Sequence, residues 1–288
     1  MRDAVEARLC RPGGFALTEE LLRWGGLEGQ AALQVLDVGC GQGATVEFLR
    51  QRFPRWNVRG LDADPALCRE GLVETGRAEA LPFSDGSLDV IFMECSLSKF
   101  ANPELALREA FRVLRPEGWL LVSDLYARKR EWTPGMAEEA GGSGGLLGRM
   151  EFSSRIWKRL QQAGFSVLEM EDRSNALAQW VGQQILEGNG EWLENSLGMD
   201  RRTRKETGCG YYLCAARPSR LWPLLSYMEE RSPFYGKRLR EAGISPVRRG
   251  DWEEFLHIPF TTAEELKENP ESFLCVPPKE IARIITLR

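Results

Sequence analysis

The chain has 288 residues, a formal net charge of −4, seven cysteines and a single histidine, His257. This length holds one large α/β domain with an appendage, and the acid excess gives no general attraction to a polyanion, so nucleic acid is disfavoured as a partner. The odd cysteine count without framework spacing excludes a disulfide scaffold, one histidine cannot complete a zinc set so that no metal is expected, and the lack of a leader-like segment or an apolar run near about 18 residues predicts a cytoplasmic protein without membrane contact.

In chain order, residues 11–15 (Arg-Pro-Gly-Gly-Phe) read as an irregular lead-in. A first helix is expected over 18–24, with Thr18 as its cap and Glu19 and Glu20 in its first turn. An apolar strand over 32–38 empties into Gly39-Cys40-Gly41-Gln42-Gly43, and a helix follows over 44–52. A second strand, 56–61, leads to Asp62. Asp64 directly before Pro65 has the form of a helix cap and predicts a helix over 65–74. Leu81-Pro82-Phe83 reads as apolar wall and turn, because Pro82 cannot donate to a ladder. A strand over 88–94 ends at Glu94-Cys95-Ser96, Asn102-Pro103 opens a helix over 103–113, and another strand follows over 118–124. Beyond a Gly/Ser-rich stretch at 141–145 come a helix over 152–163 stopped by Gly164, a strand over 165–169, a helix over 175–187 and a last strand over 210–216. Short strands alternating with amphipathic helices predict a mostly parallel sheet covered on both faces. After Pro218 the pattern changes to short helical segments.

Glycines at a strand-to-helix turn reach backbone angles that side chains forbid, and they let a ligand lie against the main chain. An acid about 20 residues later, Asp62, is placed to accept from a ribose diol. Asp37, two residues before the first glycine, repels a pyrophosphate and suits a cationic, amine-bearing ligand. S-adenosylmethionine has that character. The amides of Gly39, Gly41 and Gly43 suit its carboxylate, and Cys40 is expected to pack beneath it. Glu94 and Cys95, at a strand end, are candidates for contact with cofactor and acceptor; an acid there orients an acceptor or takes its proton. Tyr126, with Asp124 and Arg128, lies just beyond the next strand and is expected to line the acceptor pocket, and Glu171-Asp172 follows a later strand in the same way. Residues 11–15 and 141–145 are expected to roof that pocket. A histidine base is excluded from the first 217 residues, since His257 is the only one.

Residues 35–43, Gly60-Leu-Asp62, Ala80-Leu-Pro-Phe83 with Asp85-Gly-Ser-Leu-Asp-Val90, and 113–124 resemble, in order, the successive motifs of class I S-adenosylmethionine-dependent methyltransferases. The resemblance implies a Rossmann-like seven-stranded sheet of order 3-2-1-4-5-7-6, last strand antiparallel, flanked by helices, over residues 1–217. It implies S-adenosyl-L-methionine as cofactor, S-adenosyl-L-homocysteine as product, and in-line methyl transfer to a small molecule. The cofactor would be held by Asp37, Gly39, Cys40, Gly41, Gly43, Asp62, Ala63, Ala78, Glu79 and Glu94, with Glu94, Cys95 and Tyr126 as the catalytic candidates. Arg77 stands where the family commonly has an acid beside the adenine, which moves that partner to Ala78 and Glu79. Residues 218–288 resemble the opening segment of phenylacetate-coenzyme A ligases, without the phosphate-binding loop that follows there. This implies a mostly helical appendage that packs on the first domain, mediates a homodimer or meets a ligase-like partner. Two other readings stand beside the enzyme: a non-catalytic partner of a ligase-like or radical S-adenosylmethionine enzyme, and an RNA methyltransferase using the basic cluster at 201–205.

Overall fold

The computed structural model describes residues 11–129, 150–191, 208–219, 221–244 and 261–275. The chain divides into two compact units, Met1–Pro218 and Ser219–Arg288.

In the first unit, α1 (Gly14–Trp24) leads into β1 (Gln34–Val38), α2 (Ala44–Arg52), β2 (Asn57–Asp62), β3 (Val73–Thr75) and β4 (Leu88–Glu94). Then follow α3 (Pro103–Val113), β5 (Leu114–Ala127), α4 (Ser153–Gln162), β6 (Phe165–Asp172), α5 (Ser174–Leu186) and β7 (Cys209–Pro218). The seven strands lie in the order 3-2-1-4-5-7-6, with β7 antiparallel to both neighbours and the other pairs parallel. The period of two along each strand sends alternate side chains to opposite faces. Val90 and Phe92 of β4, Leu121 of β5 and Tyr211 and Leu213 of β7 enter one core, and Ile91, Met93, Val122, Tyr212 and Cys214 enter the other. Both faces of the sheet are therefore buried.

The elements with clear punctuation form as expected. Asn102 caps α3 by accepting from the Leu105 amide at 2.9 Å, with Pro103 in its first turn. Gly164, at φ 100°, ends the α4 segment. Two expectations are corrected. The helix expected over 65–74 is a single 3-10 turn, Pro65–Leu67, followed by β3. Asp64 does cap that turn, accepting from the Ala66 amide at 2.9 Å. Val73 is needed opposite Gly60 in the parallel pairing of β2 with β3, so the chain reverses tightly at residues 69–73 with Gly71 at φ 72°. The first helix begins at Gly14, four residues before the expected start, because Gly13 at φ 71° turns the chain into it. Thr18 is consequently a buried residue inside α1 and not its cap.

In the second unit, α6 (Leu221–Arg231), α7 (Pro233–Glu241) and α8 (Ala263–Glu268) are short helices. Ser232 caps α7 through the Tyr235 amide, and Thr262 and Glu265 form a reciprocal capping box on α8. Leu225, Leu239 and Ile244 make a small core, and Phe234 stacks on Phe273 at 3.8 Å between ring centroids. The segments at 252–256 and 276–278, the cluster at 201–205, the stretch at 141–145, Cys10 and His257 lie outside the described residues.

Candidate active site

The carboxyl ends of β1, β2 and β4 open onto two adjoining cavities. The first, about 300 Å³, is lined among others by Arg11, Asp37, Thr45, Glu94, Cys95 and Lys99, together with Gly39, Cys40 and Gly41. The second, about 440 Å³, is lined by Asp62, Ala63, Ala78, Glu79, Phe100 and neighbours. Gly39, Gly41, Leu67 and Lys99 border both.

The glycine loop is shaped by contacts that only glycine permits. Gly39 has φ 71°, and a Cβ built on it would meet the Ser96 Cβ at 2.5 Å. Ser96 is fixed there by donating its hydroxyl to the Val38 carbonyl at 2.7 Å. Gly41, at φ 57°, has open space where a Cβ would stand, and that space is cavity. Its amide donates to Asp62 Oδ2 at 2.8 Å, while Asp62 Oδ1 accepts from the Asp64 amide at 3.0 Å. Asp62 thus orients the loop and faces the second cavity. Gly43 borders neither cavity: it starts α2 at φ 77°, over Leu72 and Val73.

Asp37 is 3% exposed, and its carboxyl has no hydrogen-bond partner among the described residues. Burial pushes its pKa well above the usual carboxylate range; the charges of Glu94 and Asp62 add to this and Arg11 opposes it. Such a carboxyl gains most from a cationic partner. Cys40 turns its sulfur toward Gly60, where a Cβ would meet it at 2.7 Å, and burial raises its pKa, so it packs beneath the loop as a neutral thiol.

Glu94 is the centre of a buried polar cluster that the sequence did not reveal. Arg11 Nη1 donates to Glu94 Oε1 at 2.6 Å, and both side chains are almost fully buried. Arg11 Nη2 also donates to the Thr18 hydroxyl at 2.6 Å and to the Thr45 hydroxyl at 3.2 Å. Each hydroxyl then donates onward to Glu94, at 3.1 and 3.2 Å. Thr18 comes from α1 and Thr45 from the first turn of α2, so three distant segments close on one carboxylate. Only the polar character of residues 11, 18 and 45 was available as a signal.

Cys95 has φ 54°, the one positive value outside glycine among the described residues. Its sulfur lies 3.1 Å from the Tyr211 hydroxyl, which donates to Ser123 Oγ at 2.9 Å. Burial and the charge of Asp124 push the thiol up to about 12. Cys95 therefore stands at the first cavity as a neutral group.

Tyr126 and Asp124 lie elsewhere than expected. Tyr126 borders neither cavity; its ring meets Tyr212 edge-on at 6.1 Å on the other face of the sheet. Asp124 is buried and accepts from the Ser98 amide at 2.8 Å, the Ser98 hydroxyl at 2.9 Å and the Leu125 amide at 2.8 Å. It anchors the turn Leu97–Lys99, and hence Lys99 at the rim of both cavities. Arg128 and Asp172 face each other at 3.9 Å, away from the cavities. Asp124→Ala would strand the buried Leu125 amide and the part-buried Ser98 amide and is expected to cost about 2–4 kcal/mol of stability. Urea denaturation measures this, and a loss below about 1 kcal/mol would contradict the anchoring role.

Residues 36–122 match the methyltransferase domain family. The chain is similar to the malonyl-[acyl-carrier protein] O-methyltransferase of Dechloromonas aromatica, at 34% identity over 126 residues, 42% of this chain and 44% of that protein. It is also similar to the phthiotriol/phenolphthiotriol dimycocerosates methyltransferase 1 of Mycobacterium ulcerans, at 30% identity over 152 residues, 49% of this chain and 55% of that protein. The chain thus spans about half the length of these relatives. Among solved structures, phosphoethanolamine N-methyltransferase 2 of Haemonchus contortus with S-adenosyl-L-methionine aligns at TM-score 0.56 and 14% identity, covering 74% of this chain and 54% of that one. The [4+2]-cyclase SpnF aligns at TM-score 0.53 and 22% identity, covering 71% and 80%. The first unit thus shares the fold of these structures, a Rossmann-like seven-stranded sheet of order 3-2-1-4-5-7-6.

Proposed function

We propose that the chain is an S-adenosylmethionine-dependent methyltransferase acting on a small-molecule acceptor. The observation that carries this reading is the pair of acids on either side of one glycine loop. Buried, unpartnered Asp37 faces the first cavity and Asp62 the second. A ligand with an ammonium at one end and a ribose diol at the other satisfies both acids at once. Asp37 would hold the ammonium and Asp62 would accept from the ribose hydroxyls; the amides of Gly39, Gly41 and Gly43, expected to meet the tail carboxylate, already donate to the Leu61 carbonyl, Asp62 and the Cys40 carbonyl. The backbone of Ala78 and Glu79 would meet the adenine, because the Glu79 side chain is already engaged by the Asn102 amide at 3.0 Å.

When bound, S-adenosylmethionine supplies a methyl group already activated by a sulfonium. The protein then has little chemistry to do beyond holding two reactants in line in a dry cleft. Glu94 and Cys95 form the wall of the first cavity, next to the loop, where the acceptor would approach. Glu94 acts there as a fixed part of the wall, because Arg11 and two threonines already bind its carboxylate. The relatives named for malonyl-[acyl-carrier protein] and for phthiotriol dimycocerosates support an acceptor group other than a nucleic acid. The segment 219–288 is read as an appendage that serves assembly rather than chemistry.

Calorimetric titration with S-adenosylhomocysteine and with NAD tests the cofactor. The thioether is expected to bind and NAD not; the reverse would sink the reading. Gly41→Val fills ligand space and strains a left-handed backbone position by about 1–2 kcal/mol. It is expected to abolish binding. Asp62→Ala is expected to weaken binding at least about tenfold; unchanged affinity in both variants would refute the placement.

A further inference from the structure

A third cavity, of about 20 Å³, lies on the face of the sheet that Tyr126 and Tyr212 occupy. It shares no lining residue with the two cavities at the glycine loop, yet it meets the same turn: Ser98 borders it, and Lys99 borders both of the others. Its polar wall is made by Tyr212, Asp124, Glu151, Arg159 and Ser98. Tyr212 of β7 stands directly opposite Asp124 of β5 in the antiparallel register, so the two side chains leave the sheet on one face as neighbours. Tyr212 is 2% exposed, and its hydroxyl has no hydrogen-bond partner among the described residues. Among those residues only Glu151 Oε2 and Arg217 Nε are buried polar atoms with neither accessible surface nor a directed hydrogen bond. The Tyr212 hydroxyl therefore keeps some surface, and the cavity is what it meets. A buried hydroxyl in that position is costly until something pairs with it.

Volume sets the size of the partner. One water molecule needs about 10–15 Å³ of such space, so this cavity holds one. The donors and acceptors set its character. Tyr212 has a proton to give. Asp124 Oδ1 already accepts from the Ser98 hydroxyl and the Leu125 amide, but Oδ2 accepts from the Ser98 amide alone. Glu151 Oε1 accepts from Arg159 Nη2 at 2.7 Å. One donor and two carboxylate oxygens, each with a lone pair to spare, fit a molecule that accepts once and donates twice. Arg159, ion-paired with Glu151 at 2.6 Å, brings a positive charge to the same wall and works against a metal cation. We infer that this cavity binds one water molecule, which accepts from Tyr212 and donates to Asp124 and Glu151, and that Tyr212 acts through it as a positioning residue for the turn Leu97–Lys99. Asp124 holds that turn by Ser98, so a looser Asp124 is felt at the rim of the glycine-loop cavities. The water site stands apart from the cofactor reading; only the affinity measurement below rests on it.

A crystal structure of the full chain that shows ordered solvent is expected to place a water about 2.5–3.0 Å from the Tyr212 hydroxyl and from one oxygen of each carboxylate. No density there, or a side chain in its place, would overturn the proposal. Tyr212→Phe removes one oxygen and keeps the ring. If nothing paired with the hydroxyl, its loss would leave the urea midpoint unchanged or higher. With the water, the folding equilibrium constant is expected to fall about fivefold, and the loss should be less than additive with that of Asp124→Ala. Hydrogen exchange by NMR gives a local readout. The Ser98 amide should exchange about threefold or more faster in Tyr212→Phe, while the Leu105 amide, held by Asn102 at 2.9 Å, keeps its rate. An unchanged rate at Ser98 would refute the positioning role. Thermal midpoints in potassium, sodium and choline chloride at one ionic strength should agree; a rise specific to either metal ion that Tyr212→Phe erases would make the occupant a cation and overturn the water. Affinity for S-adenosylhomocysteine should fall about twofold or more in Tyr212→Phe. Unchanged affinity, in a parent that binds the thioether, counts against the positioning role. A parent that binds none fails the cofactor reading and leaves the water site to the other measurements.

Discussion

Arg11→Met is expected to destabilise the first unit by about 3–5 kcal/mol, among the largest single-residue effects in this chain. The substitution keeps most of the aliphatic volume but leaves Glu94 as a buried carboxylate supported by two hydroxyls only. The Coulombic attraction that offsets its desolvation is gone at a side chain about 2% exposed. Glu94→Gln strands the guanidinium instead and is expected to cost a similar amount. The double variant Arg11→Met with Glu94→Gln should recover a substantial part of either loss, because neither charge is then buried alone. Urea denaturation of the four proteins measures the coupling. Strictly additive single losses would mean that the pair contributes nothing as a pair.

The second large effect belongs to Asp37, and its sign separates stability from binding. A carboxyl whose pKa is raised on folding binds more protons in the folded than in the unfolded chain at intermediate pH. Its contribution to stability is fully present below the ordinary aspartate range and is lost as pH rises through the raised folded value. Ligand-free protein should therefore lose stability across that window, and Asp37→Asn should remove this pH dependence and raise Tm at neutral pH. Binding runs the other way. An ammonium selects the ionised carboxylate, so affinity for S-adenosylhomocysteine should rise with pH over the same window, and the asparagine variant should bind weakly at every pH. Thermal melts and titrations on both proteins check this. A variant less stable than the parent at neutral pH, with affinity intact, would contradict the role assigned to Asp37.

What was legible in the sequence follows from where the chain is punctuated. Helices Ala44–Arg52 and Pro103–Val113 and strand Leu88–Glu94 have the expected bounds, set by the glycine loop and by the Asn-Pro cap. β3 was not, because three residues with one buried side chain, Val73, carry too little periodicity. Helix-forming residues at 65–70 then read as helix until the pairing of Val73 with Gly60 overrode them. The loop and its two acids were readable because their spacing is local. The bond from Arg11 to Glu94 spans 83 positions and leaves no local pattern. Thr18 illustrates the cost: a hydroxyl before an apolar run reads as a cap, although tertiary packing uses it to bridge Arg11 and Glu94. Tyr126 was misplaced by parity alone. It sits near the expected strand end, but the pleat turns it to the face opposite Glu94.

A crystal structure of the full chain with S-adenosylhomocysteine tests the central claim most directly. The account predicts one ligand molecule spanning both cavities, with its amino group on Asp37, its ribose hydroxyls on Asp62, its adenine against Ala78 and Glu79, and its sulfur facing open space beside Glu94 and Cys95. A ligand bound away from the glycine loop, or one whose sulfur is sealed from the first cavity, would contradict it.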